Sequence, residues 1–202
     1  MAVKNHNLDA LIIDAAKAEF LERGYQQASL HKIVERAGIT TGALYTRYKG
    51  KDDLFCSLVQ EVIDASKEVM EPIYQKYMLA QQSNNPDMIL EAIKEEMHLY
   101  HDILFEHYDA CVLFYCKSDG SSIKKMLDDM MEVKIEQTIN YFKTIAKDDA
   151  NLEGISALLS LQFHFFREIL NRGYDKDSAI KACELIDIYQ EAGWKAVFGA
   201  IF

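Results

Sequence analysis

No stretch of this 202-residue sequence stays apolar for the roughly 18 residues that a membrane-spanning helix needs, so a helical membrane protein is not expected. Prolines number only two, and half of the residues are hydrophobic, which excludes a collagen-like or disordered chain. The N-terminus scatters Lys4, His6, Asp9 and Asp14 among short apolar groups and lacks the apolar core of a signal peptide. Cys56, Cys111, Cys116 and Cys183 form no C-x-x-C pair. A chain of this length buries a core without disulfides, so reduced thiols in the cytoplasm are the expectation. Also missing are a phosphate loop, a dinucleotide fingerprint and a serine-elbow motif, and no enzyme or cofactor is expected. Basic residues are scarce, 22 against 32 acidic, for a formal charge of -10. Averaged over the whole chain, that charge argues against a nucleic-acid partner.

The average conceals a division. Residues 1–51 carry eight basic groups against five acidic ones, a net charge of +3, which leaves 14 basic and 27 acidic, net -13, for the remainder. Between Ala28 and Lys51 five basic residues face the single Glu35. Uneven charge of this kind suggests separate roles for the two parts.

Apolar residues recur at three- and four-residue spacing almost throughout, with no sustained alternation, so the chain reads as all-α. Leu11, Ile12, Ala15, Ala16 and Phe20 mark a first helix stopping at Gly24, and Ser29 is placed to cap a short second one with Leu30, Ile33, Val34 and Ala37 inside. Thr40 caps a third running to about Tyr48. A fourth starts near Lys51, with Asp52 and Asp53 where acidic groups complement the helix dipole, and Pro72 should kink or end it. Loops are expected at 83–86, 117–121, 147–151 and 173–176. The last two helices span roughly 152–172 and 177–198, and small residues on the last (Ala179, Ala182, Cys183, Ala192, Gly193, Ala196) suit close helix packing.

Residues 30–44 have the arrangement of a helix-turn-helix. Small Ala37 allows a close crossing, Gly38 makes the turn, and Ile33, Ile39 and Leu44 wedge between the helices. The N-terminal end of the third helix then points outward with Thr40, Thr41, Gly42, Ala43 and Thr46, whose methyls and bare backbone allow close approach to base edges. Tyr45, Arg47, Lys49 and Lys51 surround them as phosphate-binding groups.

Residues 9–58, with Ala15-Ala16, Phe20, Gly24-Tyr25, Ser29, Ile33, Ala37-Gly38-Ile39, Gly42-Ala43-Leu44-Tyr45, Arg47-Tyr48, Lys51 and Leu54-Phe55, resemble the DNA-binding domain of TetR-type transcriptional regulators. Arg47 stands where the family usually has an aromatic or histidine, and Tyr48 where it has phenylalanine. The resemblance implies a DNA-binding domain at 1–51 joined by the long fourth helix to a ligand-binding and dimerisation domain at 52–202, about nine helices in all. It also implies a homodimer closed by the last two helices, a palindromic double-stranded DNA operator, and a repressor released by a small-molecule effector. Carried over, Ser29, Thr40, Tyr45, Arg47 and Lys51 contact phosphates and Thr41, Gly42 and Thr46 face bases, with Lys32 a further candidate. The alternative is a helical small-molecule-binding protein or enzyme that does not use DNA.

The middle of the chain is crowded with rings and thioethers. Met97, Tyr100, His101, Tyr108, Phe114, Met126, Met130 and Phe163 are candidates for an effector pocket, which such side chains would fit to an apolar or aromatic ligand. The same residues at helical spacing also make ordinary core. Glu95, His98, His101 and Asp102 include one Glu-x-x-His, but a di-iron site needs two with further glutamates, so no metal site is expected.

Overall fold

The computed structural model describes residues 6–83 and 85–201, and among them the chain forms nine α-helices and no strand. They are α1 (His6–Gln27), α2 (Leu30–Ala37), α3 (Thr41–Tyr45), α4 (Lys51–Ser83), α5 (Pro86–Glu106), α6 (Tyr108–Cys116), α7 (Ser122–Ile145), α8 (Leu152–Asn171) and α9 (Lys176–Ile201). The packing divides into two compact units. One comprises the chain through Val62 together with Asp109–Leu127; the other comprises Ile63–Tyr108 and Asp128–Phe202. Compactness therefore groups the chain differently from a division at Lys51, because α6 and the start of α7 pack with the first three helices.

In the first unit, Ile12, Ala15, Ala16 and Phe20 of α1 are buried, as are Ile33 and Val34 of α2, Leu44 of α3 and Leu54, Phe55, Val59 and Val62 of α4. Phe20 and Phe55 meet edge to face with centroids 5.0 Å apart, and Tyr25 packs on Phe55 at 5.2 Å, arrangements that suit the ring quadrupoles. Gly24 breaks the helical path of α1, as its sequence suggests. It takes φ 71° and ψ 167° within the helix's span, and one further turn carries Tyr25 and Gln26. Ser29 occupies the N-cap position of α2, but its hydroxyl makes no capping bond; instead its amide donates to Oε1 of the buried Glu19 at 3.2 Å.

The second unit closes around Ala80, Ile89, Phe142, Ile155, Trp194, Phe198 and Ile201. Its loops are capped as their composition suggests. The Asn85 side chain accepts from the Asp87 amide, with Pro86 in the first turn, and that of Asn151 accepts from the Gly154 amide. The Lys147 amide donates to the Ile201 carbonyl at 2.9 Å, tying off the end of α9.

α4 continues through Pro72 rather than ending there, one of the two outcomes expected from the sequence. Proline removes one amide and crowds the carbonyl four residues earlier. Here Glu68 and Pro72 both lie on the exposed side, where water can serve that carbonyl, while Ile73 is fully buried and anchors the turn. Pro72→Ala restores the amide, and the expected outcome is a protein more stable by about 1–3 kcal/mol, read from urea unfolding at constant m-value.

Candidate nucleic-acid interface

The helix-turn-helix wedge is built as its residues dictate. Ile33 and Leu44 are buried, Ala37 is 7% exposed, and Gly38 turns the chain at φ 65° while its amide and position cap α2. The α3 helix is a short five-residue segment that ends earlier than Tyr48. Thr40 Oγ1 accepts from the Ala43 amide at 3.2 Å, and Thr46 Oγ1 donates to the Ala43 carbonyl at 2.8 Å. Both hydroxyls are thus engaged along the helix, and their methyls belong to an exposed surface shared with Thr41, Gly42 and Tyr45. Lys32 of α2 is exposed as well.

The basic residues divide by environment. Lys49 is exposed, its amide donating to Asp53 Oδ2 at 2.8 Å. Arg47 is turned inward: its Nε pairs with Asp9 of α1, Nη1 donates to the Ala43 carbonyl and Thr46 Oγ1, and only 19% of the side chain is exposed. Lys51 is also committed. Its ammonium donates to the Gln26 carbonyl at 3.1 Å and the Ala28 carbonyl at 3.0 Å, and lies 4.7 Å from the Tyr25 ring centroid. It therefore closes the C-terminal end of α1, where a cation meets the negative end of the helix dipole, and adds a cation–π contact.

Beside Lys51, Asp52 binds the first residue of α7. It accepts from the Ser122 amide at 2.9 Å and from the Ser122 hydroxyl at 2.6 Å. Partial burial pushes its carboxyl up, but the bonds from Ser122, Tyr25 and Cys56 outweigh this and hold it below the usual carboxylate range. The Lys117 carbonyl accepts from the Tyr25 amide at 2.8 Å. Sequence reasoning did not find the Asp9–Arg47 and Asp52–Ser122 contacts, because their partners are 38 and 70 residues apart.

Residues 12–58 match the model of bacterial regulatory proteins, tetR family. Residues 12–58 are therefore a DNA-binding domain of the tetR type. The chain is 22% identical over 181 residues to the uncharacterized HTH-type transcriptional regulator YdgC of Bacillus subtilis, covering 88% of each chain. Over 60 residues it is 40% identical to the Bacillus subtilis fatty acid metabolism regulator protein, a match spanning 30% of this chain and only 31% of that protein's length. Among solved structures, a TetR-like regulator from Rhodococcus sp. RHA1 shares the fold at TM-score 0.61 and 19% identity, with 95% of this chain and 100% of that one covered. NalD, the secondary repressor of the MexAB-OprM efflux pump in Pseudomonas aeruginosa, does so at TM-score 0.57 and 18% identity, covering 96% of each chain. FadR from Bacillus subtilis in complex with stearoyl-CoA gives TM-score 0.51 at 17% identity, covering 88% of this chain and 96% of that one.

The residues suggested for an effector pocket are shared between the two units. Phe114 and Met126 belong to the first unit, whereas Met97, Tyr100, His101, Tyr108 and Met130 belong to the second. Met97, His101 and Phe114 are buried, Met130 is 56% exposed, and the Phe163 side chain lies outside the described residues. An open groove of about 630 Å³ runs instead between α7 and α8, lined by Ile135, Ile139 and Leu152 with Glu132, Glu136 and Lys143. Burial pushes the Cys111 thiol up to about 12, which leaves it a poor nucleophile.

If Arg47 contacts a DNA phosphate, Asp9 competes with that phosphate for its guanidinium. Asp9→Asn is therefore expected to raise affinity for duplex DNA and to steepen the slope of log affinity against log salt by about 0.9, measured by fluorescence titration across a salt series.

Proposed function

We propose that this chain is a TetR-family regulator, a homodimeric repressor that binds a palindromic operator and is released by a small-molecule effector. The observation that carries this reading is an apolar surface on the last two helices. Leu158 and Leu161 of α8 and Leu185, Ile188 and Tyr189 of α9 are 41–68% exposed, and Ala192, Gly193, Ala196 and Gly199 continue the α9 stripe as exposed small residues. Contiguous apolar exposure on this scale favours burial against a second copy, and small residues permit close helix approach. A two-fold dimer presents two α3 helices, and two-fold symmetry in the protein calls for a palindrome in the DNA.

In each subunit we assign Thr41, Gly42 and the methyl groups of Thr40 and Thr46 to base edges, and Ser29, Lys32, Tyr45 and Lys49 to phosphates. Arg47 joins the phosphate contacts on release from Asp9, and Lys51 acts chiefly by fixing the end of α1, with its remaining proton available to DNA. Residues 1–51 act as the reader, supported by the 109–127 segment that packs in the same unit. Residues beyond them sense and dimerise. Helices α4 and α7 each supply residues to both units, so an effector bound in the second unit acts on the first along them by favouring one of two populations. Relatives support a small-molecule signal: one similar fold is solved with stearoyl-CoA and another is named a repressor of an efflux pump.

The test is a titration of the purified protein against DNA flanking its own gene. Saturable binding that weakens steeply with salt is expected, and binding that ignores both sequence and salt would exclude the reading. Two substitutions separate its parts. Ile188→Glu places a charge in the stripe, and sedimentation should show monomers that have lost operator binding while retaining their helical content. Thr41→Ala should alter which base is preferred at one position by about 1–3 kcal/mol, whereas Lys49→Ala should weaken all sequences alike.

A further inference from the structure

Where α5 meets α9 in the second unit, a largely buried polar cluster lies beside the exposed Lys94–Glu191 ion pair. His101 of α5 is 8% exposed, and its Nδ1 lies 3.4 Å from Oδ2 of Asp187 on α9. The other carboxylate oxygen, Asp187 Oδ1, is buried and makes no hydrogen bond among the described residues. One turn along the same face, Gln190 is only 4% exposed, and neither its Oε1 nor its Nε2 has a partner among the described residues. Leaving such groups unpaired costs about 1–3 kcal/mol each, so a protein retains them where something else satisfies them. Around the cluster stand rings. Phe166 lies 5.4 Å from the His101 ring and 6.0 Å from that of Tyr100, and Phe105 lies 6.3 Å from His101. Phe166, Tyr100 and Phe105 are half-buried.

We propose that this cluster is the polar end of the effector site, and that it selects a ligand with a protonated amine on an aromatic or apolar body. The inference rests on the reading of the second unit as a sensor and adds the chemistry it senses. An ammonium donates to Asp187 Oδ1 and the Gln190 carbonyl oxygen, and the adjacent ring faces attract the same charge. Charge on the wider scale agrees: residues 52–202 carry a net -13, which favours a cation and opposes a polyanion such as an acyl-CoA. The charged and titratable groups that act on Asp187 are His101, His98, Lys94 and Glu184. Burial raises the Asp187 carboxyl above its ordinary range, the neighbouring cations acting against it, and the same burial lowers His101. An entering ammonium therefore needs the ionised carboxylate, and its affinity falls as pH drops through that raised value.

Calorimetric titration of the full chain with four probes decides the matter: 4-phenylbutylamine, 4-phenylbutan-1-ol, 4-phenylbutanoate and octanoyl-CoA. At pH 7.5 the amine is expected to bind at least tenfold more tightly than the matched alcohol, with the carboxylate and the thioester weaker still. Asp187→Asn should bring the amine to within about twofold of the alcohol without changing the alcohol. Gln190→Leu should weaken the amine and raise the melting temperature of the free protein, since it removes an unpaired amide. Binding of the alcohol, carboxylate or acyl-CoA without an amine preference overturns the amine assignment and leaves the sensor reading standing. An amine preference that survives Asp187→Asn overturns this site. No binding by any probe overturns the proposal, while operator release by another small molecule would preserve the sensor.

Discussion

The reader depends on how the chain leaves α1. Gly24 holds a positive φ that side chains rarely adopt, and the turn beyond it presents three groups in three directions. The Tyr25 ring joins Phe20 and Phe55, its amide reaches the Lys117 carbonyl, and the carbonyls of Gln26 and Ala28 face the Lys51 ammonium. A helix of five residues such as α3 has no stability of its own. It holds its place because Leu44 is buried beneath it and because α1 and α4 are pinned at the junction Lys51 closes.

The same junction explains why α6 and the beginning of α7 belong to the first unit. Lys117 and Ser122 lie at either end of the loop between them, and each is bonded to the α1–α4 junction, one through Tyr25 and the other through Asp52. Lys17 of α1 pairs with Asp109 of α6 at 2.6 Å, but both side chains are substantially exposed, and a pair of that kind contributes little. The hydrogen bonds at Lys117 and Ser122, together with burial of Cys111, Leu113, Phe114 and Ile123, carry the attachment.

Much of the fold was legible in local sequence. Ser83 to Pro86 and Lys147 to Asn151 mark helix boundaries through caps and a first-turn proline, signals that need no distant partner. The wedge of Ile33, Ala37, Gly38 and Leu44 was equally readable, since its spacing is the motif. Pro72 left open whether α4 kinks or ends, because a proline's cost depends on whether the carbonyl it frees meets water, which burial decides. Arg47 and Lys51 were readable as basic residues near α3, but sequence alone does not show that Asp9 and two backbone carbonyls already hold them. The polar cluster at Asp187 and Gln190 was hidden for a similar reason: on the helix repeat they resemble ordinary surface residues until α5 covers them.

The engaged hydroxyls of Thr40 and Thr46 bear on what kind of code α3 can read. Thr40 Oγ1 only accepts in its helix and keeps its proton to donate, whereas Thr46 Oγ1 gives its proton to the Ala43 carbonyl and accepts from Arg47. Thr46 therefore offers a partner in the groove mainly its methyl, and a methyl recognises the C5-methyl of thymine. A reader of that kind is blind to the distinction between thymine and 5-methylcytosine at that edge and sensitive to replacement of thymine by uracil. On the assignment of Thr46 to a base, a 5-methylcytosine at that one position would therefore meet its methyl as a thymine does.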